Sequence, residues 1–412
     1  MHVRNRSLAL ALAAGFALSL GVGVRAPAGA EEPGVTPTEI LLGGLHPYSG
    51  PASAYAAIGK GALAYFAYVN DKGGVHGRKI NYKDLDDAYS PPQAIQLTKQ
   101  LVEQDHVFAM FDTLGTPSCS AIRPYLNDNG VPQLFVATGA STFGADYAKY
   151  PWTIGWQPDY RSEARVYAHY LLKEDANPKI AVLMQNDDYG EDYLAGLKEG
   201  LGPKADSFIV KTATYEVTDA SVSSQIASLK ASGADTFFIF ATPKFSIQAM
   251  VITAQQSWHP RTFLNSVSAS QTIMNLTAKA GGVEATKGII TTVYVKDPSS
   301  SDWDNDAGMK LYKEILAKYA PGSDATNGFF LYGMGVAYTM VDALEHAGKN
   351  PTRKTLMNAA THLYEKDNPF TLPGVLVHTT AKDHFPIDQQ QLGRYDGAHF
   401  VRFGGLIEGR GR

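Results

Sequence analysis

Cysteine is almost missing from this 412-residue chain, which has one, Cys119. A single thiol excludes an internal disulfide, so stability has to come from packing, and the length allows two sizeable cores. Paired-cysteine zinc sites are excluded, and none of the 11 histidines falls in an H-E-x-x-H spacing. Neither a G-x-S-x-G elbow nor a phosphate loop is present. Asp302, Asp304 and Asp306 alternate as in a calcium loop, but the glycine comes at Gly308 and Lys313 stands where the bidentate glutamate is needed. They read as acids at the start of a helix, and no cofactor or metal is expected. Without a base in view, Ser118 or Cys119 as a nucleophile of a hydrolase is the weaker reading, and Cys119 reads as a small semi-buried thiol. An excess of positive charge is also lacking. Beyond residue 24 no apolar run is long enough to span a bilayer.

The first 30 residues carry an export signal. Arg4 and Arg6 are followed by an apolar stretch, Leu8 to Val24, and by Ala28-Gly29-Ala30, a cleavage site of small residues. Glu31 is then the first mature residue, with no cysteine there for a lipid anchor. Removing Arg4, Arg6 and Arg25 from 36 basic residues leaves 33 against 40 acids, a formal charge of −7. That argues against nucleic acid, whose phosphates require basic patches. A periplasmic product with no transmembrane segment in the mature chain is expected.

Strand and helix patterns alternate from Glu39 onward. Strands are predicted at Glu39–Leu45, Arg78–Asp86, Val107–Phe111 and Gln133–Val136, with helices at Tyr55–Asn70 and Pro92–Asp105 between them. After a crossover near Pro151–Trp156 a second alternating set begins, capped at Asp159 and including strands Lys179–Met184 and Thr236–Phe240. Two α/β halves with crossings in mid-chain imply two doubly wound parallel-sheet lobes around a cleft, closing as a hinge.

The stretch Phe111–Gly144 organises this pattern. Two buried strands end in turns rich in hydroxyls and bare backbone N–H groups, Leu114-Gly115-Thr116-Pro117-Ser118 and Thr138-Gly139-Ala140-Ser141-Thr142. In an open parallel sheet ligands bind outside the carboxyl ends of the strands, and the first turn opens a helix whose amino end favours an anion. One reading is a two-point carboxylate clamp; the other is a pair of ordinary loops capped by Ser and Thr.

Several segments in order carry a family resemblance: Ser49-Gly50-Pro51-Ala52-Ser53-Ala54-Tyr55, Asn70 to Arg78, Asp86-Asp87, Asn186-Asp187-Asp188-Tyr189-Gly190, Lys287-Gly288-Ile289-Ile290, and Tyr395-Asp396-Gly397 with Val401 to Gly404. The chain resembles the leucine/isoleucine/valine-binding proteins, the type I periplasmic solute-binding proteins of ABC transporters, over nearly its whole mature length. The resemblance implies two lobes joined by a three-crossing hinge, residues 31–155 plus 295–375 and residues 156–294 plus 376–412. It implies a small carboxylate ligand, a branched-chain amino acid or a related acid, and a membrane permease as partner; aromatic acids lacking an amine, or a ligand-sensing receptor, are the alternatives. It assigns carboxylate binding to Thr116, Gly139, Ala140 and Ser141, and aromatic contacts to Tyr55 and Tyr189; Ser118, in the first turn, is a further candidate ligand-binding residue. Where relatives that bind amino acids hold the amine with an acid, this chain has Lys287, which would repel an ammonium group. Either Lys287 meets a second anionic group, or it faces solvent and an acid such as Asp187 takes the amine. Trp156, Tyr160 and Phe245 are further candidate stacking surfaces.

Overall fold

The computed structural model describes residues 32–410; the expected export segment lies outside them. The first sheet is built from β1 (Glu39–His46), β2 (Lys79–Asp86), β3 (Ala109–Phe111), β4 (Gln133–Val136) and β5 (Thr153–Gly155), with α1 (Ala56–Asp71), α2 (Pro91–Lys99), α3 (Thr116–Asp128) and the short α4 (Thr142–Ala145) between them. Its order is β2-β1-β3-β4-β5, and each pairing is parallel. That order places β1 inside the sheet, with the chain winding outward to both edges, as helical crossovers between parallel strands require.

The second set comprises α5 (Tyr160–Glu174), β6 (Ile180–Gln185), α6 (Asp188–Leu201), α7 (Ala205–Phe208), β7 (Ile209–Tyr215), α8 (Ser223–Ala231), β8 (Thr236–Phe240), α9 (Pro243–Gln255), β9 (Arg261–Leu264), α10 (Gln271–Gly281) and β10 (Ile290–Val293). The chain then returns to the first set with α11 (Ala307–Tyr319), α12 (Gly328–His346) and α13 (Arg353–Ala360). A two-stranded ribbon follows, β11 (Tyr364–Glu365) with β12 (Val377–His378), and the chain crosses again into β13 (Gln389–Tyr395) and β14 (Phe400–Glu408). The second sheet has the order β14-β13-β10-β9-β8-β6-β7. It is mixed: β13 and β14 are antiparallel additions at one edge. Their hairpin is set by Asp396, whose carboxylate accepts the N–H groups of Ala398 and His399 at 2.7 and 2.9 Å, and by Gly397 at φ 111°.

Local chemistry starts the helices where the sequence indicates. Asp159 accepts from Ser162 N–H, Asp187 from Tyr189 N–H and Asp306 from Met309 N–H, each satisfying an orphan donor of a first turn. Asp306 also pairs with Lys296, Asp302 with Arg402 and Asp304 with Lys313, so the three alternating acids diverge to separate partners. α12 packs on α1 through a glycine contact. A Cβ on Gly333 would lie 2.0 Å from the Ile58 carbonyl oxygen, and one on Gly61 would lie 2.2 Å from that of Phe330. The two backbones therefore touch, fixing α12 against the first half. At the first crossing, Trp156 is fully buried; its indole N–H donates to Thr339 at 2.9 Å and its ring meets Tyr332 edge-on.

Candidate functional site

The carboxyl ends of both sheets face a cavity of about 110 Å³. The first half contributes Tyr55, Ile58, Tyr89, Leu114, Gly115, Thr116 and Ala137, and the second Tyr160, Tyr189, Thr242, Ser266, Val267, Ser270 and Gln271. Gln157, Tyr294, Lys296 and Asp297 come from the crossings, and Phe329 and Tyr332 from α12. Six tyrosines thus surround it. Burial pushes the phenols of Tyr55, Tyr89, Tyr160, Tyr189, Tyr294 and Tyr332 well above the ordinary range, so all six stay neutral at physiological pH.

The first turn delivers its donors to this cavity. Thr116 opens α3; Pro117 has no N–H and the Cys119 N–H donates to the Gly115 carbonyl at 2.9 Å, so the N–H groups of Thr116 and Ser118 are the ones without a partner inside the helix, and Gly115 precedes them at φ 96°. A side chain at Gly115 would strike the Tyr89 ring at 2.4 Å, so the aromatic wall lies directly on the turn. The Thr116 hydroxyl lies 2.7 Å from that of Thr138. Ser118 serves the wall rather than the cavity. Its hydroxyl donates to Asp87 at 2.7 Å, and Asp87 also accepts the Tyr89 N–H at 2.9 Å. Those bonds hold a turn in which Ala88 and Tyr89 both take left-handed φ, 51° and 60°.

The opposite wall rests on Glu163 of α5, which is buried. It accepts from the backbone and hydroxyl of Ser266, both at 2.7 Å, and from the phenols of Tyr167 and Tyr193 at 2.7 and 3.0 Å. Burial pushes its carboxyl up, and these donors oppose that shift. Ser266, Val267 and Ser270 are thereby held at the cavity. Tyr189 accepts from Asn265 Nδ2 and meets Tyr160 edge-on. A charge cluster lies at the carboxyl ends of β1, β2 and β3. His46 Nδ1 is 3.0 Å from Asp84, His46 Nε2 is 3.4 Å from Asp112, and Tyr48 donates to Asp84 at 2.6 Å. The chain runs from Asp112 straight into Leu114–Thr116 of the cavity wall.

Among the expected site residues, Tyr55, Thr116 and Tyr189 come together here. The second turn goes elsewhere. Gly139 packs on the crossing, its carbonyl accepting Tyr160 N–H at 2.7 Å. The Ala140 N–H is spent on Thr138 Oγ1 at 3.1 Å, and both donors of Ser141 go to Asp192. Lys287 is exposed and lines a separate concavity with Trp258 and Glu284 at the amino end of β10, whereas the residues at the other end of that strand reach the cleft. Its expected contact with a ligand group is not supported by that position. Asp187 is engaged as the α6 cap and by Gln185 Nε2 at 2.6 Å. Trp156 and Phe245 are core residues, while Tyr160 faces the cavity. Cys119 is buried against Thr113, and burial pushes its thiol up. Among the described residues lining the cavity, Asp297 is the sole acid, and its carboxylate accepts from Ser299 N–H and Oγ at 2.9 and 2.7 Å. Lys296 turns to Asp306 and the Pro369 carbonyl, at 2.7 and 2.9 Å.

Sequence reasoning missed Tyr89, Tyr294, Tyr332 and the Ser266–Gln271 segment. Tyr89 was within reach, because it follows the Asp86-Asp87 pair at a strand end; the others depend on where the crossings run.

Comparison with known proteins places this geometry. A family model described as periplasmic binding protein matches residues 39–399. The Leu/Ile/Val-binding protein homolog 3 of Brucella melitensis biotype 1 is 26% identical over 202 residues, 48% of this chain and 54% of that protein, so the match spans about half of that relative's length. A fatty acid ABC transporter substrate-binding protein from Thermomonospora curvata superposes with a TM-score of 0.78 at 21% identity, covering 93% of this chain and 96% of that one. A solute-binding protein of an ABC transporter from R. palustris, in complex with benzoate, superposes with a TM-score of 0.74 at 19% identity, covering 90% and 97%.

Proposed function

This chain belongs to the periplasmic binding protein family, and from that premise we propose that it is the exported capture component of an ABC importer for a small carboxylic acid without an amine, its body aromatic or otherwise apolar. The observation that carries this reading is the composition of the cavity wall. Six neutral phenols and Phe329 offer ring faces and edges to an apolar body. Thr116 and the first turn of α3 offer neutral donors and a favourable dipole to a carboxylate. Little is set aside for an ammonium group: among the described residues the one acid at the wall, Asp297, already carries both donors of Ser299 on Oδ1, and Asp187 is engaged by its helix and Gln185. Burying an unpaired ammonium costs several kcal/mol, more than one hydrogen bond returns.

Binding on this account involves no bond making. The carboxylate docks on the first half, the rings of Tyr160 and Tyr189 approach from the second, and the ligand biases the cleft toward closure. The closed form is then delivered to a membrane permease. The mature protein, from Glu31 onward, tests the reading in a thermal-shift series with benzoate, fatty acids and aliphatic amino acids. A ligand at a hundred times its Kd adds about 2.7 kcal/mol of stability. A shift with the amine-free acids and none with leucine, isoleucine or valine supports the proposal; a shift with the amino acids alone refutes it.

A further inference from the structure

The turn Gly139–Ser141 is already occupied by a carboxylate, one belonging to the protein itself. Ser141 N–H donates to Asp192 Oδ2 at 2.7 Å and its hydroxyl to Oδ1 at 2.7 Å, while Arg161 Nε donates to the same Oδ1 at 2.6 Å. Ser141 follows β4 of the first sheet, whereas Asp192 lies on α6 and Arg161 on α5, the helices beside the second sheet. The contact therefore joins the two halves. It is sheltered, with Asp192 only 8% exposed, and Arg161 is itself held by Glu199 at 3.2 Å. Around it, Ala140 and Phe143 of the first half pack in one apolar cluster with Tyr160, Tyr189 and Tyr193 of the second. Two of those rings are cavity wall, so the contact sits behind the surface that meets the ligand.

We propose that Asp192 is a positioning residue that fastens the two halves behind the cleft, and so sets the affinity for every ligand without touching any. Two-point acceptance by a carboxylate, with a guanidinium compensating its charge, is the strong form of a hydrogen bond. An interaction made only when the halves meet contributes equally to closure on any ligand, because apparent affinity scales with the fraction of the binding-competent form. This inference goes beyond the ligand reading and does not depend on which acid binds.

The test compares wild type, Asp192→Asn and Ser141→Ala. Asp192→Asn keeps the shape and one acceptor, but turns an amide donor toward a donor and removes one of the two carboxylates paired with Arg161, leaving Glu199; Ser141→Ala removes the hydroxyl from the other side. Small-angle X-ray scattering of the ligand-free mature proteins is expected to give a larger radius of gyration for both variants, more so for Asp192→Asn, with unchanged far-UV circular dichroism. Titration with benzoate and 4-methylpentanoate is expected to give a Kd raised about tenfold in Asp192→Asn, the scale of one such contact, by the same factor for each acid. Scattering identical to wild type overturns the proposal, and so does a factor that differs between the acids. Expanded scattering with no binding of either acid, even by wild type, leaves the fastening intact and removes the amine-free acid reading instead.

Discussion

Replacing His46 by glutamine isolates the charge cluster behind the first half's binding turns. The imidazole is fully buried, with carboxylates at 3.0 Å (Asp84) and 3.4 Å (Asp112) on its two nitrogens. Burial opposes its charge, but the two aspartates overcome that and raise it from 6.5 to about 10, so the ring is an imidazolium at neutral pH. Burial raises Asp112 to about 6, with His46 opposing, so that carboxyl is mostly ionised at pH 7. A folded-state value above the unfolded one means that the His46 contribution is complete below pH 6.5 and is lost as pH rises through about 10. The raised Asp112 acts in the same direction at lower pH, its contribution fading between about 3.8 and 6. At about 1.4 kcal/mol per pKa unit, the His46 shift corresponds to roughly 4–5 kcal/mol for a coupled pair. Removing one partner of such a cluster costs about 3–5 kcal/mol. Urea unfolding of His46→Gln at pH 7 should show a loss of that size, and a much smaller one at pH 10. Adding Asp112→Asn, which removes the stranded charge, should recover most of it. A loss below about 1 kcal/mol at pH 7, or an equal loss at both pH values, would refute this reasoning.

Three further outcomes are expected. Lys287→Ala should leave ligand affinity and stability within about 0.5 kcal/mol of wild type by calorimetry and melting, because the side chain is exposed and outside the cleft. Cys119 should resist a thiol reagent in the native protein and react fully in denaturant, since it is buried and its thiol is pushed up. Gly333→Ala should destabilise by about 1–3 kcal/mol in thermal melts, because the new methyl meets the Ile58 carbonyl and the helices must part.

The alternation of apolar strands and capped helices was legible because each element follows its own period and its own cap; Asp159, Asp187 and Asp306 start helices as such residues do. The site was legible in part. Thr116 stands at a strand end that opens a helix, and Tyr55 and Tyr189 sit in loops at other strand ends, so topology alone brings them to one crevice. Ser141 looks identical in kind, yet its donors are claimed by an acid 51 residues further on, one of several on an amphipathic helix. Nothing local distinguishes that acid from its solvated neighbours. Of the two positions left open for Lys287, the solvent-facing one follows from polarity along a strand: β10 runs from Lys287's end toward Tyr294, and only its far end reaches the cleft. Tyr294 and Tyr332 enter from a crossing and from α12, whose approach rests on the contacts of Gly61 with the Phe330 backbone and of Gly333 with the Ile58 backbone rather than on any pattern near the tyrosines.

The most direct test of the ligand reading uses acids that differ only by the amine. Isothermal titration of the mature protein with 4-methylpentanoate against leucine, and with 3-phenylpropionate against phenylalanine, holds the apolar body and the carboxylate constant. The cavity described here predicts that at least one amine-free acid binds and that its amino-acid counterpart is weaker by a factor of about 100 or more, the cost of an unpaired buried ammonium. Equal or tighter binding of leucine or phenylalanine would contradict it and would point to the second carboxylate oxygen of Asp297 as the group that holds the amine.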